Sequence, residues 1–273
     1  MDLRALRALA IRMGFKNLAV KLSHTRFARF LQGINYSAGL RRHGKELRQV
    51  YDMLADDLSR ETFNAVIHAS KSGDYSMMRN YNVQPQYFLR DICVQEDREI
   101  YVDGGGYDGK DVLHFLTSYA TAPENCKAYI WEPDAENIAR ITRTLQGFTN
   151  FEVKPFAMWS KREQLHFSGT GSVISQVSKF GKVTVQADSI DNQHFDEPVT
   201  FIKMDIEGAE PEALKGAERT IRKYRPKLAI CIYHQPSHLY EIPLWIKSVV
   251  PEYRLYIRHH SNGLNETVCY AVM

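Results

Sequence analysis

The sequence predicts an α/β fold, a doubly wound and mostly parallel sheet preceded by a helical N-terminal region, and three observations carry that expectation. From Glu99 onward, short apolar runs alternate with longer amphipathic ones, the pattern of a parallel sheet covered by helices on both faces. A glycine-rich stretch, Asp103-Gly-Gly-Gly-Tyr-Asp-Gly109, stands where the first apolar run should pass into a helix. A later run carries three ionisable residues in alternation, Lys203, Asp205 and Glu207, and a strand buried on both faces has no place for them unless they serve a site.

The bulk properties fit one large α/β domain with a smaller addition. The chain has 273 residues, 44% hydrophobic and 25% charged, enough to bury a core without covalent staples. Cys93, Cys126, Cys231 and Cys269 are widely separated and form no CxxC pair, which suggests neither a zinc knuckle nor a disulfide framework and points to a reducing cytoplasm. No apolar run approaches the roughly 20 residues of a bilayer span. A net charge of +3 gives no general argument for nucleic-acid binding.

The N-terminal region, residues 1–96, opens with a basic arm. Up to Val50 its acids are Asp2 and Glu46, against Arg4, Arg7, Arg12, Lys16, Lys21 and further basic residues. Leu3, Leu6 and Met13, then Leu18, Leu22, Phe30 and Ile34, recur at helical spacing, so one or two amphipathic helices are expected, packed on the main domain or on a second subunit of a homo-oligomer. Peripheral contact of residues 1–34 with an anionic membrane surface, at the inner face of the cell membrane, is the alternative. A helix over Leu47–Ala55 follows, then one introduced by Ser59 that exits at Gly73-Asp74. The polar, aromatic-rich stretch from Asn80 to Tyr87 reads as a connector.

The main domain is expected from Asp97 to Met273. Strands are read at Ile100–Asp103, Ala128–Glu132, Phe151–Met158, Thr200–Asp205 and Lys227–Tyr233. Helices are read at Lys110–Tyr119, Ala135–Leu145, Pro211–Lys223 and Leu239–Val249. Gln164–Val185 breaks the rhythm as an inserted hairpin or loop. Tyr253–Arg258 and Thr267–Met273, joined through Ser261-Asn-Gly263, close the chain as an antiparallel hairpin at the sheet edge.

Gly104, Gly106 and Gly109 satisfy the dinucleotide spacing G-x-G-x-x-G, and Glu132 stands where a ribose-binding acid would be. Charge distinguishes the candidate cofactors. Asp103 would crowd a pyrophosphate, whereas S-adenosylmethionine brings an ammonium and a sulfonium that a carboxylate favours. The cofactor-binding set is therefore Asp103, Gly104, Gly105, Gly106, Tyr107, Gly109 and Glu132, with Asp205 on the neighbouring strand end. Asp205 and Glu207 read as site residues at a carboxyl edge, where open α/β sheets bind ligands. Lys203 is either their partner or a catalytic group, and Glu210 is read as an acid offsetting a helix dipole.

These segments resemble the FkbM-type methyltransferases, within the class I Rossmann-like methyltransferases. The matching residues are Val102-Asp-Gly-Gly-Gly-Tyr-Asp-Gly109, Trp131-Glu-Pro133, Asp188-Ser-Ile-Asp191, Phe201-Ile-Lys-Met-Asp-Ile-Glu-Gly-Ala-Glu210, Leu214-Lys-Gly216, Lys227-Leu-Ala-Ile230 and Tyr233-His234. The resemblance implies a seven-stranded sheet with a terminal antiparallel strand, S-adenosylmethionine as donor and a hydroxyl acceptor. The loop from Asp103 to Gly109 would hold the methionine part and Glu132 the ribose. Gly106, where many relatives carry alanine, is a minor departure. Tyr233-His234 and Arg258-His-His260 are similar to the branch associated with bacterial surface polysaccharides.

A sugar hydroxyl is a poor nucleophile, so a base near it is expected, and His234 is the candidate. His238, His259 and His260 are read as surface or acceptor-contact residues. Pro236 and the spacing argue against a helical zinc pair, and a divalent ion held by Asp205, Glu207 or His234 stays as an alternative. The expected function is an S-adenosylmethionine-dependent O-methyltransferase acting on a sugar hydroxyl in surface-glycan biosynthesis. The competing readings are an NAD-dependent sugar oxidoreductase and a non-catalytic glycan-assembly partner that keeps the fold.

Overall fold

The computed structural model of the protein describes residues 40, 42–168, 176–177 and 183–273. The amphipathic helices expected before Ile34, and the membrane or subunit contact assigned to them, lie outside the described residues. Among the described residues no helix is long and apolar enough to cross a membrane.

Among the described residues two helices come first, α1 (Gly44–Met53) and α2 (Asp57–Ser72). The N-cap of α2 is Asp56, whose carboxylate accepts from the Ser59 amide at 2.8 Å, so the cap lies three residues before the Ser59 that the sequence suggested. Ser59 has another use: its hydroxyl accepts from Ile257 N and from Arg258 Nη1, at 3.0 and 2.7 Å. Gly73 ends α2 in the left-handed conformation, φ 73°, as a glycine C-cap does.

The main sheet has seven strands, β1 (Ile100–Gly104), β2 (Lys127–Trp131), β3 (Phe151–Lys154), β8 (Phe201–Met204), β9 (Lys227–Cys231), β10 (Arg254–His259) and β11 (Thr267–Val272). Their order is β10-β11-β9-β8-β1-β2-β3. All neighbours are parallel except β11, which runs antiparallel to both β9 and β10. The last strand therefore enters the sheet between two others and leaves β10 as the edge, because the ladder of β9 takes the C-terminal strand directly.

From β1 the chain turns to β2 on one side, and β8 fills the other side. The carboxyl ends of β1 and β8 thus flank the switch point of the sheet, where a crevice opens. Helices α3 (Lys110–His114, continued by a π-helical turn to Tyr119), α4 (Ala135–Thr144), α5 (Glu210–Lys215), α6 (Glu218–Tyr224) and α7 (His238–Val249) cover the sheet. Strand alternation divides the interior. Val102, Ile202 and Ile230 pack with Leu214, Ile221, Leu239 and Ile246, and also with Val50, Phe63 and Val66 of the first two helices. Tyr101, Phe201 and Ala229 pack on the opposite layer with Phe88, Val112, Phe115 and Ile141. The N-terminal helices share a core with the sheet, so the boundary at Asp97 marks no gap in packing.

Two predicted elements are divided. The run Phe151–Met158 breaks at Pro155, which has no N–H to continue a ladder. Past it, β4 (Ala157–Met158) joins a second sheet of order β4-β7-β5-β6 with β5 (Glu163–Ser168), β6 (Gln176–Val177) and β7 (Val183–Asp188). The antiparallel β5–β7 pair is the inserted hairpin. The helix expected over Pro211–Lys223 is interrupted at Gly216, where a Cβ would come within 2.1 Å of the Trp159 carbonyl oxygen. Asp191 then restarts the helix as α6, accepting from the amides of Arg219 and Thr220, both at 2.9 Å. Asp188-Ser-Ile-Asp191 and Leu214-Lys-Gly216 are thus two halves of one loop–helix junction.

His259 and His260, read as surface or acceptor-contact residues, are buried, which excludes the surface position. His259 Nδ1 lies 2.9 Å from Thr267 Oγ1, and His260 Nδ1 lies 2.6 Å from the Val83 carbonyl. Burial holds the His260 pKa down at about 4. His238 is enclosed as well, 2% exposed.

Arg258, 3% exposed, ties α2 to β10 through Asp56, with Nη2 to Oδ2 at 2.6 Å. Burial pushes the Asp56 carboxyl up, but hydrogen bonds from Arg258 and Ser59 outweigh it and hold the pKa at about 2. A folded pKa below the unfolded value of roughly 3.9 adds stability above pH 4 that disappears as the pH falls toward 2. Asp56→Ala is expected to lower stability by about 1–2 kcal/mol at pH 7, through the lost cap and ion pair. In urea unfolding the gap from the parent should narrow between pH 4 and pH 2.

Candidate active site

The site is built on two neighbouring strand ends. Register places Asp103 beside Lys203 and Gly104 beside Met204. Lys203, 1% exposed, puts Nζ 2.9 Å from Asp103 Oδ1 and 3.1 Å from Asp111 Oδ2. It also donates to the Gly105 carbonyl at 3.1 Å and lies over the Tyr87 ring, 5.1 Å from its centroid. Burial disfavours its charge, yet Asp103, Asp111 and Asp205 together keep it protonated well above the usual lysine range. Of its two predicted roles Lys203 occupies that of a partner, though the acid it pairs with is Asp103. Asp103 has no exposed surface, and burial raises its pKa to about 6 against the pull of Lys203. Its charge is compensated internally, so the like-charge argument against a pyrophosphate loses its force.

The glycine loop supplies a better argument. The amides of Gly105 and Gly106 donate to Trp131 O, at 3.1 and 3.3 Å, and Gly109 N donates to Gly106 O at 2.8 Å. Tyr107 N donates to Glu132 Oε2 at 3.0 Å, and Lys110 N to Asp108 Oδ1 at 3.2 Å. Amides that would cradle a pyrophosphate in a dinucleotide fold are already engaged. Glu132, 6% exposed, accepts from Asp134 N at 2.9 Å through its other oxygen, and burial raises its pKa. Each oxygen retains an acceptor lone pair, a fitting arrangement for paired ribose hydroxyls. Tyr107, at φ 44° and 46% exposed, stands at the rim.

Beyond β8 the chain turns through Asp205, Ile206 and Glu207. The strand ends at Met204, so only Lys203 of the three alternating charges lies on the strand, and the turn presents the other two. Glu207 and Gly208 take positive φ, 57° and 100°, which aims the Glu207 side chain outward at 36% exposure. His234, just beyond β9, brings Nε2 to 3.3 Å from Asp205 Oδ1 and 3.8 Å from Glu207 Oε2, while Nδ1 lies 3.0 Å from Glu210 Oε1. Burial favours neutral imidazole, but Glu210, Asp205 and Glu207 raise the His234 pKa. Glu207 is raised to about 7 by burial and by its acidic neighbours, with His234 opposing.

Four residues extend the predicted site. Tyr87 and Tyr233 donate to Asp205, at 2.9 Å on Oδ2 and 3.0 Å on Oδ1. Glu266, at φ 70°, accepts from Gln86 at 2.7 Å, and burial raises its pKa in the field of Asp205. Glu210 opens α5 as expected of a helix-dipole acid, but it is wholly buried and also accepts from Ile206 N at 2.9 Å. The aromatic-rich composition of Asn80–Tyr87 was the available signal for Tyr87. Nothing local announces Glu266, which arrives through the pairing of β11.

Two glycines measure how tightly the loop is built. At Gly105, φ 85°, a Cβ would meet the Asp205 carbonyl oxygen at 2.0 Å, and at Gly106 it would meet Ile130 Cγ2 at 2.3 Å and Ile141 Cδ1 at 3.0 Å. An alanine at Gly106 is therefore not a minor change in this packing. Gly106→Ala should cost about 1–3 kcal/mol, as overpacking does. Gly105→Ala should cost more, since backbone blocks it; equal melting temperatures for the two variants would contradict this geometry.

A family model for the methyltransferase FkbM domain matches residues 103–262. Among solved structures, the methyltransferase FkbM from Methylobacillus flagellatus KT is similar at a TM-score of 0.74 and 26% identity, over 86% of this chain. This chain spans 60% of that protein's length. Less similar are the Aeropyrum pernix fibrillarin bound to S-adenosyl-L-methionine, at TM-score 0.43 and 13% identity over 77% of this chain and 76% of its own, and an Aquifex aeolicus SAM-dependent methyltransferase, at 0.40 and 15% over 72% and 97%. No curated protein matches the sequence. With more than half of its length inside the family model, the chain belongs to the FkbM methyltransferase domain family.

Proposed function

We propose that the protein is an S-adenosylmethionine-dependent O-methyltransferase whose acceptor is a sugar hydroxyl, in the building of a bacterial surface glycan. One observation carries this reading: the glycine loop with Glu132 and the Asp205–Glu207–His234 cluster lie at the carboxyl edges of adjacent strands, so donor and acceptor sites share one crevice. The methyl donor is S-adenosylmethionine, which supplies an electrophilic methyl group when bound. The turn at Gly105 and Gly106 packs tightly on the Asp205 carbonyl and on Ile130, and Glu132 offers one acceptor oxygen to each ribose hydroxyl.

The protein's own groups then have to orient the acceptor and take its proton. The connector and the β10–β11 loop bring amides and an acid together, Gln84 donating to Asn82 at 3.1 Å and Gln86 to Glu266 at 2.7 Å, groups of the kind a polyhydroxylated acceptor needs. Asn82 donates to Asn262 at 3.1 Å. Both ring nitrogens of His234 are enclosed, whereas Glu207 is the most exposed of the acids in contact with it. We therefore assign the meeting with the acceptor hydroxyl to Glu207, and His234 stands behind it as the second proton-accepting group.

Incubation with isotope-labelled donor and a panel of sugar nucleotides, read by mass, should show a product heavier by one methyl group. Glu207→Gln should lower kcat by about 10²–10⁴ while S-adenosylhomocysteine still raises the melting temperature. Stabilisation by NAD with none by S-adenosylhomocysteine would reverse the reading.

A further inference from the structure

We propose that Asp205, Glu210 and His234 form a binding site for one divalent cation of the magnesium or manganese class. One ligand atom from each lies within 4.8 Å of the others. Ligands on opposite sides of a cation with bonds of about 2.1 Å stand roughly 4.2 Å apart, so side-chain rotations of about half an ångström would close the set. Two carboxylates and one imidazole suit a hard or borderline cation.

Orphaned atoms give independent support. Glu210 Oε2 and both ring nitrogens of His234 are enclosed without an aligned hydrogen bond. Nδ1 approaches Glu210 Oε1 at 3.0 Å, but distance without alignment is not a bond. His234 is 92% buried and Glu210 wholly so, and buried polar atoms left this way call for an ion or water between them.

Charge points the same way. Asp205, Glu207, Glu210 and Glu266 lie around His234, with His238 Nδ1 3.5 Å from Glu210 Oε2 as a second imidazole, while Lys203 is committed to Asp103 and Asp111. A 2+ charge would relieve this excess. Glu210 replaces Glu207 in the ligand set expected from sequence. Glu207 stays outside, free to meet an acceptor whose hydroxyl the cation would acidify; that last role rests on the methyltransferase reading.

The test is Mn²⁺ binding to the full chain, stripped with EDTA and free of methyl donor, followed by electron paramagnetic resonance and calorimetry. The parent should take up one equivalent, displaced by Mg²⁺, and His234→Ala and Glu210→Gln should each weaken binding at least tenfold. Circular dichroism and S-adenosylhomocysteine binding serve as folding controls. Should Glu210→Gln fail to fold, the partly exposed Asp205→Asn takes its place with the same expected loss. No uptake at millimolar Mn²⁺, or uptake unchanged in the variants, would overturn the cation site. Such failure with S-adenosylhomocysteine still bound would leave the methyltransferase reading intact. Mn²⁺ uptake without methyl transfer to any sugar would sink that reading and keep the cation site.

Discussion

The crevice depends on one buried ammonium. Lys203 leaves the middle of β8 and meets β1 at Asp103, the glycine loop at the Gly105 carbonyl, α3 at Asp111 and the connector at the Tyr87 ring. Each of these pieces comes from a different part of the chain, and each forms a side of the crevice. Buried ion pairs are weak sources of net stability, but losing one partner leaves an uncompensated charge that costs about 3–5 kcal/mol. The pair therefore acts through position. It can be complete only when β1 and β8 are in register and the loop after β1 folds back over them.

Asp103 accordingly lies wholly buried behind the glycine loop. Shortage of free backbone amides, with Trp131 O and Glu132 taking what the loop offers, now carries the discrimination first ascribed to its charge. The same economy holds in the acidic cluster. Asp205 is held by two tyrosine hydroxyls, which leaves Glu207, on its left-handed turn, as the acid facing outward.

Most of the fold was legible because hydrophobic periodicity is local. The strand–helix alternation, the glycine turn and the polar end of β8 can all be read over a dozen residues. Features decided across the sheet escaped. Asp56 rather than Ser59 caps α2 because Ser59 is drawn away to β10. One helix became two because Gly216 must touch Trp159. His259 and His260 looked like surface residues because their partners, Thr267 and Val83, are supplied by strand pairing and by the connector. In the site, Asp205 and Glu207 stood out as charges in an apolar run, whereas Glu210 resembled an ordinary first-turn acid until its burial was known.

The matched region runs from 103 to 262, but Gln86, Tyr87 and Glu266 lie on either side of it. Two of the three, Tyr87 and Glu266, also hold a positive φ, so their placement is built into the backbone. The family match thus ends short of residues that touch its own motif, since Tyr87 donates to Asp205 and its ring lies under Lys203. A domain cut at the limits of the match would lose the first three residues of β1 and all of β11, the strand that joins β9 to β10.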